Sequence, residues 1–187
     1  MDGGNFLEGF MNNGNGQKSG RNIALVVDDE EQTRKALSMF LKIFGYKVHA
    51  YDTVMDAKRF IESHGPIPSI AFVDFSFAGE DGTEIISSLR DYLPIVPIVS
   101  VSGYGVRDFF DPLLTPDMYI GKEFNKETLR MALEKGAKML EARRGYLMRI
   151  SCNGNELSER EVNARRLEVI RAGLYQGKNE LRYDKAA

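Results

Sequence analysis

From Asn22 onward the chain alternates between two hydrophobic periods, and that alternation constrains its fold more than any other feature. Five short apolar runs, most of them rich in β-branched residues, read as strands: "IALVV" (23–27), "KVHAY" (47–51), "SIAFV" (69–73), "PIVSV" (97–101) and "DMYIG" (117–121). Helix-period segments separate most of them. "EQTRKALSMFLKIFGY" places Ala36, Leu37, Phe40, Leu41 and Phe44 on one stripe and then meets Gly45, a natural helix stop. "TVMDAKRFIESHG" (53–65) offers Thr53 as cap, with Asp56 three residues on. "GTEIISSLRDY" (82–92) and "KETLRMALEKGAKML" (126–140) complete the set. Between the fourth and fifth strands, Pro112 and Pro116 limit any helix to a short piece near Arg107–Asp111.

Strands alternating with helices imply parallel pairing, right-handed crossovers and helices on both faces of the sheet. Five strands in about 120 residues suit an α/β fold of the flavodoxin-like, doubly wound kind with strand order 2-1-3-4-5. In such sheets functional groups gather beyond the C-terminal ends of the strands.

Those strand ends carry charge. The first run ends in Asp28 and Asp29, the third in Asp74, the fourth in Ser102, and the fifth is followed at once by Lys122. Leading an apolar strand into a lone carboxylate costs several kcal/mol unless the charge is paired or sits at an open tip. Three carboxylates together resist joint ionisation, and a divalent cation relieves their repulsion. Oxygen ligands with no His or Cys nearby favour magnesium over zinc. A cation so held, a lysine and a hydroxyl form a phosphoryl-transfer set. With no Ser-His-Asp set and no Gly-rich phosphate cradle, the economical nucleophile is a carboxylate, Asp74. Blander readings stand beside this one: "DDE" after a strand suits a helix N-terminus, and a lone lysine is an ordinary surface residue.

Residues 22 to about 140 resemble a response-regulator receiver domain of the CheY-like family. The resemblance rests on Asp28 and Asp29 after the first strand, on Asp74 through Gly79, Asp81 and Gly82, on Ser102, on Tyr119 and on Lys122. It implies a non-enzymatic signalling module that accepts a phosphoryl group on Asp74. Asp28, Asp29, Asp74 and the backbone carbonyl of Ser76 would hold Mg2+. Ser102 and Lys122 would bind the phosphoryl group, Tyr119 would act as the switch aromatic, and Ser76 and Tyr104 would tune the lifetime of the phosphorylated state. The implied partners are a sensor histidine kinase or phosphotransfer protein and a downstream protein target, in the cytoplasm. The chain departs from the family at Ala78, where Pro is usual, and at Lys122-Glu123, where the family has Lys-Pro with a cis bond. A cis bond before a non-proline residue would cost about 3–4 kcal/mol.

The flanks read differently. Residues 1–21 are rich in Gly and Asn and read as a flexible arm lacking the basic and apolar parts of a secretory signal. No apolar run approaches the ~20 residues needed to span a membrane. Residues 1–125 carry 11 Lys+Arg against 18 Asp+Glu, whereas residues 126–187 carry 14 against 9. The basic end, 141–187, is read as a helical extension. Leu129, Leu133, Gly136, Leu140, Arg143, Leu147 and Ile150 form a heptad-like seam, flawed by Gly136 and Arg143. It either packs on its own domain or pairs two copies of the chain. After "SCNGNE", Ser158 and Glu161 suggest a capping box for a helix over 159–172, ended by Gly173. "ELSEREVNARRLEVIRAGLYQGK" faintly resembles the opening of a LuxR-type helix-turn-helix, but too few residues follow Lys178 for a recognition helix. DNA binding by a reduced effector and an inert receiver-like scaffold are therefore the alternatives to a phosphorylated receiver.

Overall fold

A computed structural model describes residues 22–63, 66–74, 83–103, 113–151, 161 and 164–175. Five parallel strands form one sheet in the order β2-β1-β3-β4-β5, as the alternation implied. They are β1 (Ile23–Val27), β2 (Lys47–Tyr51), β3 (Ile70–Asp74), β4 (Ile98–Ser102) and β5 (Met118–Gly121). The third and fourth strands each lie one residue later than the apolar runs suggested. The helices are α1 (Glu31–Ile43), α2 (Val54–Glu62), α3 (Thr83–Tyr92), α4 (Lys126–Ser151) and α5 (Arg166–Tyr175).

Strand side chains alternate between two apolar layers. Ala24 and Val26 of β1 face a core shared with Leu37 and Leu41 of α1 and Leu129 and Leu133 of α4. Leu25 and Val27 face the other core, with Ala57 of α2 and Ile85 and Leu89 of α3. The central strands β1 and β3 are buried on both faces; β2, at the edge, is half exposed.

Local signals fix the helix ends. Gly45 has φ of +82°, and the amides of Gly45 and Tyr46 bond back to Lys42 and Leu41 carbonyls, closing α1. The Thr53 hydroxyl accepts from the Asp56 amide at 3.1 Å, opening α2.

The C-terminal part bears on the seam and corrects the end of the last helix. First, α4 runs unbroken to Ser151, a helix of 26 residues and about 39 Å. Its seam is buried inside its own chain. Leu129 and Leu133 enter the core beside α1, while Leu140 and Leu147 enter the opposite core with Val169 of α5. Leu140 and Leu147, which a pairing of two copies through this seam would need at its centre, are thus packed within their own chain. Gly136 and Arg143 are not flaws. A Cβ on Gly136 would lie 2.7 Å from Ile70 Cδ1, so this glycine lets α4 approach the sheet. Second, Gly173 does not end the last helix but lies inside α5, where a Cβ would meet Arg143 Nε at 2.8 Å. Ser158, and with it the suggested capping box, lies outside the described residues, as do the residue 1–21 arm and the Arg107–Asp111 piece.

Arg143 explains the close approach. Its fully buried guanidinium donates to the Ile170 carbonyl of α5, to the Val96 carbonyl before β4, and to the Asp117 carboxylate before β5. Asp117 also takes Arg90 of α3 at 3.1 Å and the Ile98 amide at 2.8 Å. Burial alone would raise the Asp117 carboxyl, but the two guanidiniums hold it at about 2. α5 is further tied to α3 by Arg166 and Asp91.

Candidate functional site

Strand register delivers the acidic cluster. Val27 of β1 pairs with Val73 of β3, so the next residues, Asp28 and Asp74, emerge side by side at the C-terminal edge of the sheet. Asp74 is fully buried and Asp28 nearly so. Carboxylate oxygens of Asp28, Asp29 and Asp74 lie within 4.8 Å of one another, close enough to share one cation. Among the described residues Asp28 Oδ2 is buried with no hydrogen-bond partner, an orphaned acceptor of the kind a cation satisfies. Its other oxygen accepts from the Glu30 amide at 2.8 Å. The three residues thus fit a hard divalent ion such as magnesium by charge, donor type and spacing.

Lys122, just past β5, reaches across to this edge. Its Nζ lies 2.9 Å from Asp74 Oδ2 and 3.9 Å from Asp28 Oδ1. Among the described residues every peptide bond is trans, the one after Lys122 included. Burial pushes the Asp28 carboxyl up, Lys122 and the Glu30 amide oppose that, and Asp74 and Asp29 reinforce it; the result is about 6. The Lys122 ammonium, despite partial burial, is held above its ordinary range by Asp74, Glu30 and Asp28.

Ser102 ends β4 in register with Gly121, the residue before Lys122, and so stands at the same edge. Tyr119, in mid-β5, is half-buried and packs on the apolar layer that contains α3, Leu140 and Val169. Ser76 and Tyr104 lie outside the described residues.

Two groups went unread in the sequence. Glu30 closes the "DDE" run, which by composition suits a helix N-terminus. It does stand at the N-cap position of α1, but its side chain makes no capping bond. Instead Oε2 takes Lys122 Nζ at 3.0 Å and the Thr33 hydroxyl at 3.0 Å. Arg34 braces the loop by donating to the Asp28 carbonyl at 2.8 Å and the Asp29 carbonyl at 3.3 Å. The available signal for both was their spacing from the end of β1 at Val27, three and seven residues on, into the following helix.

Known proteins agree with this architecture. A model of the response regulator receiver domain matches residues 24–134. A cyclic di-GMP phosphodiesterase of Thermotoga maritima is 25% identical over 111 residues, 58% of this chain and 29% of that protein. A putative NtrX-like response regulator of Rickettsia felis is 25% identical over 124 residues, 64% of this chain and 26% of its own length. The chain therefore spans less than a third of the length of these relatives. Among solved structures, a CheY-like receiver domain protein of Methanospirillum hungatei superposes with a TM-score of 0.58 at 23% identity, covering 65% of this chain and 97% of that one. NtrX of Brucella abortus gives 0.59 at 22% identity, over 67% of this chain and 29% of that one. These likenesses establish the fold, and the match over residues 24–134 places this chain in the response-regulator receiver family.

Proposed function

We propose that this protein is a phosphorylated response regulator of a two-component relay, taking a phosphoryl group onto Asp74. The observation that carries the reading is the placement of Asp74. It is a buried carboxylate at a strand tip, within cation-sharing distance of Asp28 and Asp29 and 2.9 Å from the Lys122 ammonium. In the proposed step an Asp74 oxygen attacks phosphorus, the phosphorus–nitrogen bond of a phosphohistidine donor breaks, and the imidazole departs with its electron pair. The donor is a sensor histidine kinase or a phosphotransfer protein.

Asp28, Asp29 and Asp74, with the Ser76 carbonyl, would hold magnesium. Bound there, the ion would neutralise the carboxylates and screen the charge on the transferred group. Lys122 then offers its ammonium protons to the phosphoryl oxygens, and Ser102 its hydroxyl. Lys122 loses part of its Asp74 contact when that carboxylate becomes an acyl phosphate, so β5 feels the change and Tyr119 reports it to the layer it packs on. Ser76 and Tyr104 would set how long the acyl phosphate survives. Output passes by protein–protein contact through the β5 surface and the C-terminal helices. Among the described residues no helix is long and apolar enough to cross a membrane, which suits a cytoplasmic relay. The packing of Val169 and Ile170 of α5 against their own core favours protein output over DNA contact by that helix.

Incubation with acetyl phosphate and magnesium should attach one phosphoryl group, labile to hydroxylamine and absent in Asp74→Asn. Undiminished labelling of Asp74→Asn would remove the assignment. Asp29→Asn should weaken magnesium binding; an unchanged magnesium titration would take Asp29 out of the metal set.

A further inference from the structure

Three carboxylates claim the Lys122 ammonium, and only two of them belong to the cation cluster. The third, Glu30, is not among the residues able to share a metal ion, and it does not cap α1 although it stands where a cap would. Its Oε2 accepts both Lys122 Nζ and the Thr33 hydroxyl, each at 3.0 Å. Thr33 is buried on α1, so the second bond tethers the half-exposed Glu30 side chain beside the strand edge. Lys122 is held on one side by Asp74 and on the other by Glu30.

We propose that Glu30 is a positioning residue that restrains the Lys122 ammonium and slows acceptance of a phosphoryl group at Asp74. The inference rests on the phosphoacceptor reading and deepens it. An ammonium has three protons to give. To serve phosphoryl oxygens, Lys122 must turn protons away from carboxylates. Its ion pair with Asp74 weakens as that oxygen joins an acyl phosphate, but the bond to Glu30 persists and competes with the incoming group. Glu30 also sets a negative charge beside the path of an anionic donor. Both effects act in one direction: removing the Glu30 charge frees the lysine and eases the approach.

The experiment compares wild type, Glu30→Gln and Thr33→Val, using acetyl phosphate with magnesium. Phosphorylation rate is followed by intact mass. Proton exchange of the Lys122 ammonium is followed by nitrogen-15 NMR in metal-free protein. Glu30→Gln should phosphorylate about two- to fivefold faster, the range expected for a half-exposed ion pair. Its ammonium protons should exchange faster too. Thr33→Val keeps the charge but frees the glutamate, so it should shift both readouts in the same direction by less. Unchanged or slower labelling of Glu30→Gln overturns the proposal while leaving the phosphoacceptor reading intact. Faster labelling with unaltered Lys122 exchange also overturns it, because the charge would then act without the lysine. Failure of wild type and both variants to label removes the phosphoacceptor reading itself, and this proposal with it.

Discussion

At the scale of single residues, the site is a balance between burial and charge. Asp28 has its folded carboxyl at about 6, above the ordinary 3.8, because burial opposes ionisation. Between those values the folded chain binds more protons than the unfolded one. The Asp28 contribution to metal-free stability therefore falls as pH rises through about 4 to 6 and stays low above it. Asp28→Asn removes this dependence. In EDTA at pH 7 the variant should melt a few degrees higher than wild type, and magnesium should raise the wild-type midpoint more than that of the variant. Thermal melts at pH 4, 6 and 7, with and without magnesium, check both statements; a wild type that gains stability from pH 4 to 6 relative to Asp28→Asn contradicts them. The cluster was legible in the sequence because strand ends in a parallel sheet converge, so Asp28, Asp29, Asp74, Ser102 and Lys122 could be placed from periodicity alone. Glu30 was not, because its partner is 92 residues away and its position suits a helix start equally well.

At the scale of elements, caps and close approaches decide the details. Thr53→Ala should cost about 1 kcal/mol by freeing the Asp56 amide at the start of α2, as urea denaturation can measure. Gly173→Ala gives the opposite of a helix-propensity forecast. Alanine favours a helix by roughly 1 kcal/mol over glycine, but here its methyl would meet Arg143 Nε at 2.8 Å, and the guanidinium is pinned by α5, Val96 and Asp117. We expect a net loss of about 1–2 kcal/mol; a stabilised Gly173→Ala would show that Arg143 yields. Gly45 and Thr53 were readable because they act on their immediate neighbours. Gly136 and Gly173 were not. A glycine that ends a helix and one that admits a neighbouring side chain look alike in sequence, and only the fold separates them.

At the scale of the whole molecule, the two apolar layers and the C-terminal helices are joined through one buried ionic group. Arg90, Asp117 and Arg143 tie α3, the entries to β4 and β5, α4 and α5 together. Removing the single anion strands two buried cations, so Asp117→Asn should destabilise by about 3–5 kcal/mol. The Asp117 carboxyl lies below its unfolded value, so its stabilisation is present above about pH 4 and lost as pH falls toward 2. The heptad-like seam had two readings in sequence, and periodicity could not choose between them. The same stripe serves a partner helix or a core, and here it serves two cores of its own chain. Hydrogen exchange should accordingly protect Val169 and Ile170 amides nearly as well as those of β3; rapid exchange of α5 with a protected sheet would contradict the shared packing.

The central claim is that a phosphoryl group lands on Asp74. Its most direct test is to treat the protein with acetyl phosphate and magnesium, reduce the acyl phosphate with borohydride, and locate the resulting homoserine by peptide mass spectrometry. The account predicts homoserine at position 74, lost when magnesium is chelated. Homoserine at position 28 or 29, or an unmodified Asp74 under conditions that phosphorylate a control receiver, would contradict it.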